Sequence, residues 1–334
     1  MIVGWYVHHH GAGHLARLRA TLEHLDGDVV ALSSLEAVAK LDCDHLVLPA
    51  DLSARPVDAT ANGTLHWVPL GHDGLRERMA AIAAWIAAAR PDVMVVDVSV
   101  EVALLARLHG VRVVIVAQRG RRTDAPHALA YAQAAAVVAP WTAATHLDED
   151  RLPEATTRFV GAISRFDASS PARGVPSGPV GDVLLVLGAG GHEITAAQVL
   201  EAAGATPQRT WHIAGPVEAH APNVVAHGAR ADVARLLAQS SVVVGSAGAN
   251  VVAEIATSRR PYVCLPQARP FDEQLHQAEA LRRLGVAEVR HAWPAAHEWP
   301  ALLAAAEARD TGRWALLHDG GGARRLAATV REVV

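Results

Sequence analysis

Cysteine is scarce in this sequence, and its scarcity excludes whole classes of protein. Only two cysteines occur among 334 residues, Cys43 and Cys264, and each lies inside an apolar run. A disulfide framework or a cysteine-based zinc site needs more cysteines than this. We therefore expect two reduced, buried thiols.

Lysine is rarer still, since Lys40 is the only one, and the formal net charge is −4 at pH 7. Proteins that bind nucleic acid usually present a basic surface, so this composition predicts no nucleic-acid partner. Arginine is abundant where lysine is not, which is typical of a base-composition bias and has little functional weight.

Long apolar runs are also missing. None approaches the ~20 residues that a membrane-spanning helix needs. The N-terminal MIVGWYV is shorter than the apolar part of a signal peptide and lacks its basic start. These features predict a cytoplasmic protein.

The sequence does contain a regular alternation of β-rich runs with alanine-rich helical stretches. In the first half, helical patterns at 73–90 and 101–110 separate runs that are typical of buried parallel strands. Those runs are 2–7, 28–32, 45–49, 92–98 and 111–117. Strands that alternate with helices indicate an α/β fold with a doubly wound parallel sheet.

The alternation stops in a stretch rich in proline, glycine and serine and then restarts, as expected for two domains in a chain of this length. Further strands are predicted at 182–188, 210–215, 224–227, 242–245 and 262–266, with helices from about 194 and at 231–239, 250–259, 272–285, 297–309 and 319–334. We predict an N-terminal Rossmann-like domain at 1–163, a linker at 164–181 and a C-terminal Rossmann-like domain at 182–334. The last helix is free to fold back onto the first domain.

The first polar cluster, HHHGAGHLAR at 8–17, follows the first predicted strand, where open α/β sheets bind ligands. Gly11 and Gly13 permit a tight turn before a helix, and the neutral imidazole of His14 can accept a proton near pH 7. A helix-capping or solvated His14 is the alternative. A metal at the triplet 8–10 is disfavoured, because neighbouring strand residues point to opposite faces.

Two loops in the second half follow strands in the same way. LGAGGHE could let a diphosphate approach its backbone, although a plain glycine turn explains it equally well. Its glycines are Gly188, Gly190 and Gly191. In GSAGANVVAEI at 245–255, the helix that Asn250 opens favours negative charge at its start. Glu254 lies about one turn further along the same face and could hold ribose hydroxyls, with a solvated surface glutamate as the alternative.

The fourth cluster, at 265–285, joins a proline-rich loop to a helix. Asp272 is predicted as the helix N-cap, which places Glu273, Gln274 and Gln277 in the first turns, beside the strand ends. Carboxylate and carboxamide side chains suit the paired hydroxyls of a hexose. A capping acid with solvated polar neighbours is the alternative.

The last two clusters, in this order and spacing, carry a family resemblance. The stretch 240–287, SSVVVGSAGANVVAEIATSRRPYVCLPQARPFDEQLHQAEALRRLGVA, resembles the donor-binding region of GT-B glycosyltransferases, above all the MurG-like family, which uses UDP-N-acetylglucosamine. The resemblance implies that Glu254 binds the ribose of the donor. It also implies that Glu273 and Gln274 contact the donor sugar.

Shorter matches extend the resemblance. Gly248 and Asn250 fall on the glycine and asparagine of the H-C-G-W-N-S motif of UDP-glycosyltransferases. GAGH resembles the family's glycine-rich loop and places His14 on its histidine. VGAISR resembles the T-G-N-P-V-R segment at the family's domain junction, without its Asn-Pro pair, and places Arg165 on the family's arginine. Ser246, a further expected donor contact, stands where related enzymes often carry Arg or His beside the phosphates.

The resemblance implies a GT-B fold, in which two Rossmann-like doubly wound domains face a central cleft. It implies an inverting transfer of a hexose or N-acetylhexosamine from a nucleotide-sugar donor, UDP-linked in the related families, to a hydroxyl acceptor. The acceptor is a small molecule or is lipid-linked, and this leaves a peripheral membrane contact open. RGRR at 119–122 suits an anionic acceptor, with a solvated basic loop as the alternative.

The expected chemistry needs a base and no cofactor. His14 is the predicted base, oriented by Asp97 at the end of a neighbouring strand, with His10 and Glu101 as substitutes. We expect no metal, because no D-x-D pair stands at a strand end, and the DED at 148–150 has no strand ending beside it.

Two other functions stay open at this stage. The first is that of a nucleotide-sugar epimerase or hydrolase, because enzymes of these kinds have the same fold. A catalytically silent partner of a true transferase is the second alternative, although such a protein has no need of sugar-hydroxyl ligands.

Overall fold

The computed structural model describes residues 1–9, 13–167, 181–188 and 191–334. The first group of elements is β1 (Ile2–Tyr6), α1 (Gly13–Leu22), β2 (Asp28–Ser33), β3 (Asp44–Val47), α2 (Asp73–Ala89), β4 (Val93–Asp97), α3 (Val100–Leu108), β5 (Arg112–Val116), α4 (Ala125–Gln133), β6 (Ala136–Ala139) and β7 (Thr157–Phe159). The second group is β8 (Val183–Val186), α5 (Ala196–Ala205), β9 (Trp211–Ala214), β10 (Val224–Gly228), α6 (Val233–Gln239), β11 (Val242–Gly245), α7 (Ala249–Ser258), β12 (Tyr262–Cys264), α8 (Glu273–Leu284), β13 (Ala287–Val289), α9 (Trp299–Glu307) and α10 (Gly322–Glu332).

The strands form two parallel sheets, which confirms the predicted α/β architecture with two Rossmann-like units. The first sheet has seven strands in the order β3-β2-β1-β4-β5-β6-β7, and the second has six in the order β10-β9-β8-β11-β12-β13. In each sheet the direction of winding reverses beside the first strand, between β1 and β4 and between β8 and β11. Parallel α/β sheets bind ligands at such reversals, outside the carboxyl ends of the strands.

The central strands are apolar except at their carboxyl ends, because helices cover both faces of each sheet. Every residue of β4 and of β11 is buried, as the continuous VMVVD and VVVG runs require. The sequence interpretation missed β6, β7, α4 and β13. The strand β6 lies in an alanine-rich stretch, and β7 and β13 are three-residue strands with a charged residue in the middle, so no clear apolar run marks them in the sequence.

The last helix, α10, lies against α1 of the first unit. Its buried Leu326 and Val330 belong to the same apolar cluster as Val3 of β1. The Arg325 Nε also donates to the backbone oxygen of Val160, 2.7 Å away. The end of the chain therefore packs on the first sheet's unit.

Both cysteines are free thiols, and they differ in burial. Cys264 is fully buried in β12, and burial raises the pKa of its thiol to about 12. Cys43 is only partly buried, which corrects the expectation of two buried thiols. Within the described ranges, no helix combines the length and apolarity needed to cross a bilayer.

Candidate functional site

One cleft of about 1490 Å³ lies between the carboxyl edges of the two sheets. The predicted site residues that line it are Gly13, His14, Arg165, Gly188, Gly191, Ser246, Gly248, Asn250, Glu254, Glu273 and Gln274. Gly11, Gly190 and His10 lie outside the described residues. The motifs at the strand ends of both units thus border a single space.

His14 and Asp97 lie side by side because β1 and β4 are neighbours in the first sheet. The His14 Nδ1 is 2.9 Å from Oδ1 of Asp97, which ends β4. The contact is short, although the two groups are not well aligned for a hydrogen bond. Because Nδ1 faces the carboxylate, Nε2 is on the side of the ring away from it. The structure brings the two residues together, and their catalytic role stays a prediction.

Arg17 is a third member of this group that the sequence interpretation missed. Its NH1 donates to Oδ2 of Asp97 at 2.5 Å, and both side chains are buried. Burial opposes ionisation of Asp97, but Arg17 and His14 more than offset it and hold the pKa of Asp97 well below its ordinary value. Arg17 follows His14 by three residues on α1, a spacing that puts both on one helix face and could have revealed it.

Glu101, a predicted substitute for the base or its partner, is occupied by other groups. Its Oε1 accepts from the backbone N–H groups of His66 and Trp67, at 2.7 and 3.1 Å. Its Oε2 accepts from the Ser99 hydroxyl at 3.1 Å. The carboxylate therefore anchors the backbone at 66–67.

The start of α7 faces the cleft from the second unit. Gly248 precedes the helix, and no side chain of the described residues caps its first N–H groups. Free N–H groups and the helix dipole make such an end suitable for a phosphate. The Ser246 carbonyl accepts from the Tyr262 hydroxyl at 2.6 Å, which fixes the loop before the helix.

Glu254 is buried on α7, so it is not the solvated surface residue of the alternative interpretation. Arg165 holds it in a two-point ion pair. The arginine Nε lies 2.8 Å from Oε1, and NH2 donates to Oε2 at 3.3 Å. Burial raises the pKa of Glu254 above its usual value, and Arg165 opposes this rise. Two residues expected to contact different parts of a donor therefore contact each other.

The start of α8 departs from the prediction. Asp272 makes no side-chain capping bond, because its φ is 56° and an N-cap that bonds its helix normally has an extended backbone. Glu273 and Gln274 do line the cleft, with the Gln274 Oε1 accepting from Gln267 N at 3.0 Å. Gln277 was expected to face the cleft, but it is not among the residues that line it. It accepts instead from the Arg119 Nε at 2.7 Å.

Two of the three arginines in the RGRR segment, Arg119 and Arg122, are buried, so only Arg121 fits the solvated basic loop of the alternative interpretation. Asp150 accepts from NH1 of Arg119 at 3.1 Å and from the Gly120 N–H at 3.0 Å. Nδ1 of His276, on α8, lies 3.0 Å from the same carboxylate. Both oxygens of Asp150 are thus occupied in a buried network between the two units.

A second polar cluster, which we call the His66 cluster, lies at the cleft. It was missed because His66 and Phe271 are far in sequence from its other three members. It consists of His66, Arg122, Asp124, His127 and Phe271. The Asp124 carboxylate lies 3.1 Å from the His66 Nε2 and 2.8 Å from the His127 Nδ1. Arg122 NH1 lies 3.1 Å from the His127 Nε2. The Phe271 ring packs on His127, with centroids 4.9 Å apart.

His66, Asp124 and His127 have the spacing of a metal-binding group. The contact with Arg122 argues against a metal at His127. A guanidinium only donates, so the His127 Nε2 must accept and its Nδ1 must carry the proton that Asp124 receives. A protonated Nδ1 cannot ligate a metal. Burial also lowers the pKa of His127 to about 4, so the ring is neutral at pH 7.

Comparison with solved structures decides the fold. The chain is similar to the glycotransferase of kitacinnamycin, with a TM-score of 0.73, 18% identity and coverage of 100% of this chain and 99% of that one. The chain has the GT-B fold. MurG of Acinetobacter baumannii gives a TM-score of 0.67 at 14% identity, over 99% of this chain and 100% of that one.

The GT-B fold is shared with enzymes of more than one kind. A putative UDP-N-acetylglucosamine 2-epimerase of Listeria monocytogenes gives a TM-score of 0.68 at 13% identity, over 99% of this chain and 96% of that one. No protein-family model and no curated protein matches the sequence. The similarity to known proteins is therefore one of fold, and this is the GT-B fold that the resemblance at the strand-end motifs implied.

Proposed function

We propose that this GT-B protein is an inverting, metal-independent glycosyltransferase that uses a nucleotide-sugar donor. One observation carries the proposal: two complementary half-sites face each other across one cleft. The second unit presents a buried carboxylate, Glu254, about one turn from the uncapped start of α7. The first presents an imidazole, His14, backed by the buried carboxylate of Asp97.

The donor would lie along α7 and the start of α8. Glu254 suits the ribose hydroxyls, the first N–H groups of α7 suit the diphosphate, and Glu273 and Gln274 suit the hydroxyls of a hexose or N-acetylhexosamine. We take UDP as the first nucleotide to test, and dTDP and GDP as its competitors.

His14 would act on the acceptor, a small molecule or a lipid-linked one. Its Nε2 takes the proton of the acceptor hydroxyl while that oxygen bonds to the anomeric carbon. The bond from this carbon to the diphosphate breaks on the opposite face, so the configuration inverts and the nucleoside diphosphate leaves. Asp97 stays ionised and stabilises the imidazolium that develops.

The leaving diphosphate needs positive charge, which the start of α7 and Arg165 would supply without a metal. Both oxygens of Asp150 are engaged, so the DED segment is unsuited to a cation. We therefore expect turnover to survive EDTA. Loss of turnover in EDTA that Mg²⁺ or Mn²⁺ restores would contradict the mechanism.

Mass spectrometry of products from UDP-, dTDP- and GDP-sugars, each with a panel of hydroxyl acceptors, tests the proposal. A glycosylated acceptor with inverted anomeric configuration is the expected product. The likeness to an epimerase makes epimerisation the second candidate. An incubation without acceptor separates the two, because an epimerase or hydrolase converts the donor there and a strict transferase does not.

A further inference from the structure

Arg165 and Glu254 satisfy each other at the point where the proposed function places a ribose. The guanidinium engages both carboxylate oxygens, with 2.8 Å from Nε to Oε1 and 3.3 Å from NH2 to Oε2. A ribose diol would present the same pattern, two donors for two carboxylate oxygens. The diol and the guanidinium therefore compete for one carboxylate.

We infer that Arg165 exchanges partners during donor binding, leaving Glu254 to the ribose and moving to the diphosphate at the start of α7. The inference rests on the proposed function and deepens it, because it makes Arg165 the residue that selects nucleoside diphosphates over nucleosides. Binding of the ribose is then favourable only when a diphosphate receives the displaced cation.

Arg165 is the partner that is free to move. Its side chain is 46% exposed, whereas that of Glu254 is 9% exposed and belongs to a helix packed in the core. Beyond the Glu254 pair, the contact it makes among the described residues is a stacking of its guanidinium 4.8 Å from the Phe166 ring centroid. The start of α7 is ~6 Å from Glu254 along the helix, within the swing of an arginine side chain.

The energetics of the exchange depend on the burial of Glu254. When a nucleoside without phosphates binds, two neutral hydroxyls replace Arg165 as partners of the buried Glu254 carboxylate. The displaced Arg165 is then left without an anion. A diphosphate offers Arg165 a more strongly charged acceptor and suits a bidentate guanidinium. Only the diphosphate therefore completes the exchange.

Calorimetry and ligand-observed NMR with uridine and UDP test the inference on wild type and Arg165→Ala. Removing the competing guanidinium should tighten uridine binding about fivefold while weakening UDP about tenfold. In a Glu254→Gln background the carboxylate for which the two groups compete is absent. There, Arg165→Ala should no longer improve uridine binding. Arg235→Ala is the matched control, since Arg235 is exposed on α6 and bonds to Gln239 of its own helix.

Each other outcome overturns a specific claim. Parallel weakening of uridine and UDP means that Arg165 stays on Glu254 and supports the site as a whole. Parallel tightening, or no change in either, means that Arg165 never reaches the diphosphate. Wild type that binds none of UDP, dTDP and GDP overturns the proposed function itself, so failure of the proposed function is recognised before any variant is made.

Discussion

A side chain at position 13 would collide with Asn250. A Cβ built on Gly13 lies 2.5 Å from the Asn250 Nδ2, so the starts of α1 and α7 come so close across the cleft that a methyl group would push the end of the Asn250 side chain aside. The α1 side and the α7 side of the cleft thus approach each other closely at this point. Glycine at position 13 lets the Asn250 amide keep this place, since any larger residue must displace it.

Gly13→Ala should weaken UDP binding by about 0.5–1.5 kcal/mol, the contribution of one hydrogen bond, because the added methyl group turns the Asn250 amide away from the ligand. Calorimetry with UDP measures the effect. Asn250→Ala alone is the control, and the double variant should be no weaker than that control, because the clash is then gone. Additive losses would mean that Gly13 acts elsewhere.

Glu254→Ala should weaken UDP binding by about 1–3 kcal/mol, because the ribose loses a charged acceptor. Thermal unfolding should stay cooperative. The folded-state pKa of Glu254 is raised, so its ionisation destabilises the folded state once the pH rises above the pKa that the residue has in the unfolded chain. Removing the carboxylate therefore removes no stability that depends on its ionisation. Unchanged UDP affinity would return Glu254 to a purely structural role.

His14→Ala should reduce turnover at least a hundredfold at constant nucleotide affinity, as the loss of a positioned base implies. Steady-state kinetics and UDP calorimetry on the same preparation make the comparison. A loss smaller than tenfold would place the base elsewhere in the cleft.

Asp97→Asn should lower both turnover and stability, because it leaves buried Arg17 without its anion, at on the order of 3 kcal/mol. The folded-state pKa of Asp97 is depressed, so the stability it contributes is present above its unfolded pKa and is lost as pH falls. Urea unfolding at pH 7 measures the difference between wild type and variant. Equal stability would mean that Arg17 and His14 do not depend on this carboxylate.

His127 should make the free energy of unfolding rise with pH. Its folded-state pKa of about 4 lies below the ordinary 6.5, so the unfolded chain binds more protons between these values and stability increases through this window. The increase is at most about 3 kcal/mol for this one ring. His127→Gln keeps an acceptor for Arg122 and should remove that increment. Identical pH profiles of denaturant unfolding would contradict the burial of a neutral ring.

Much of the fold could be predicted from local patterns, and so could several residues that line the cleft, whereas their roles toward a donor come from the family resemblance and stay predictions. The apolar run of β4, the glycines after β8 and the spacing of Asn250 from Glu254 are all read within a few residues, where strand and helix periods act. Because parallel strands end at one edge, these patterns also indicated where a ligand site would form. The strands β6 and β13 were missed because β6 lies in an alanine-rich stretch and β13 has a glutamate in the middle of its three residues, so neither shows a clear apolar run.

The pairing of side chains was decided by tertiary structure alone. Arg165 meets Glu254 across 89 residues of sequence, and Arg119 meets Gln277 across 158. Such contacts depend on strand order and on how the two units face each other, which no local period encodes. The sequence by itself determined the fold class and the edge of each sheet that borders the cleft. The tertiary structure decided which charges neutralise each other, because that depends on distances and burial created only when the two sheets close on one cleft.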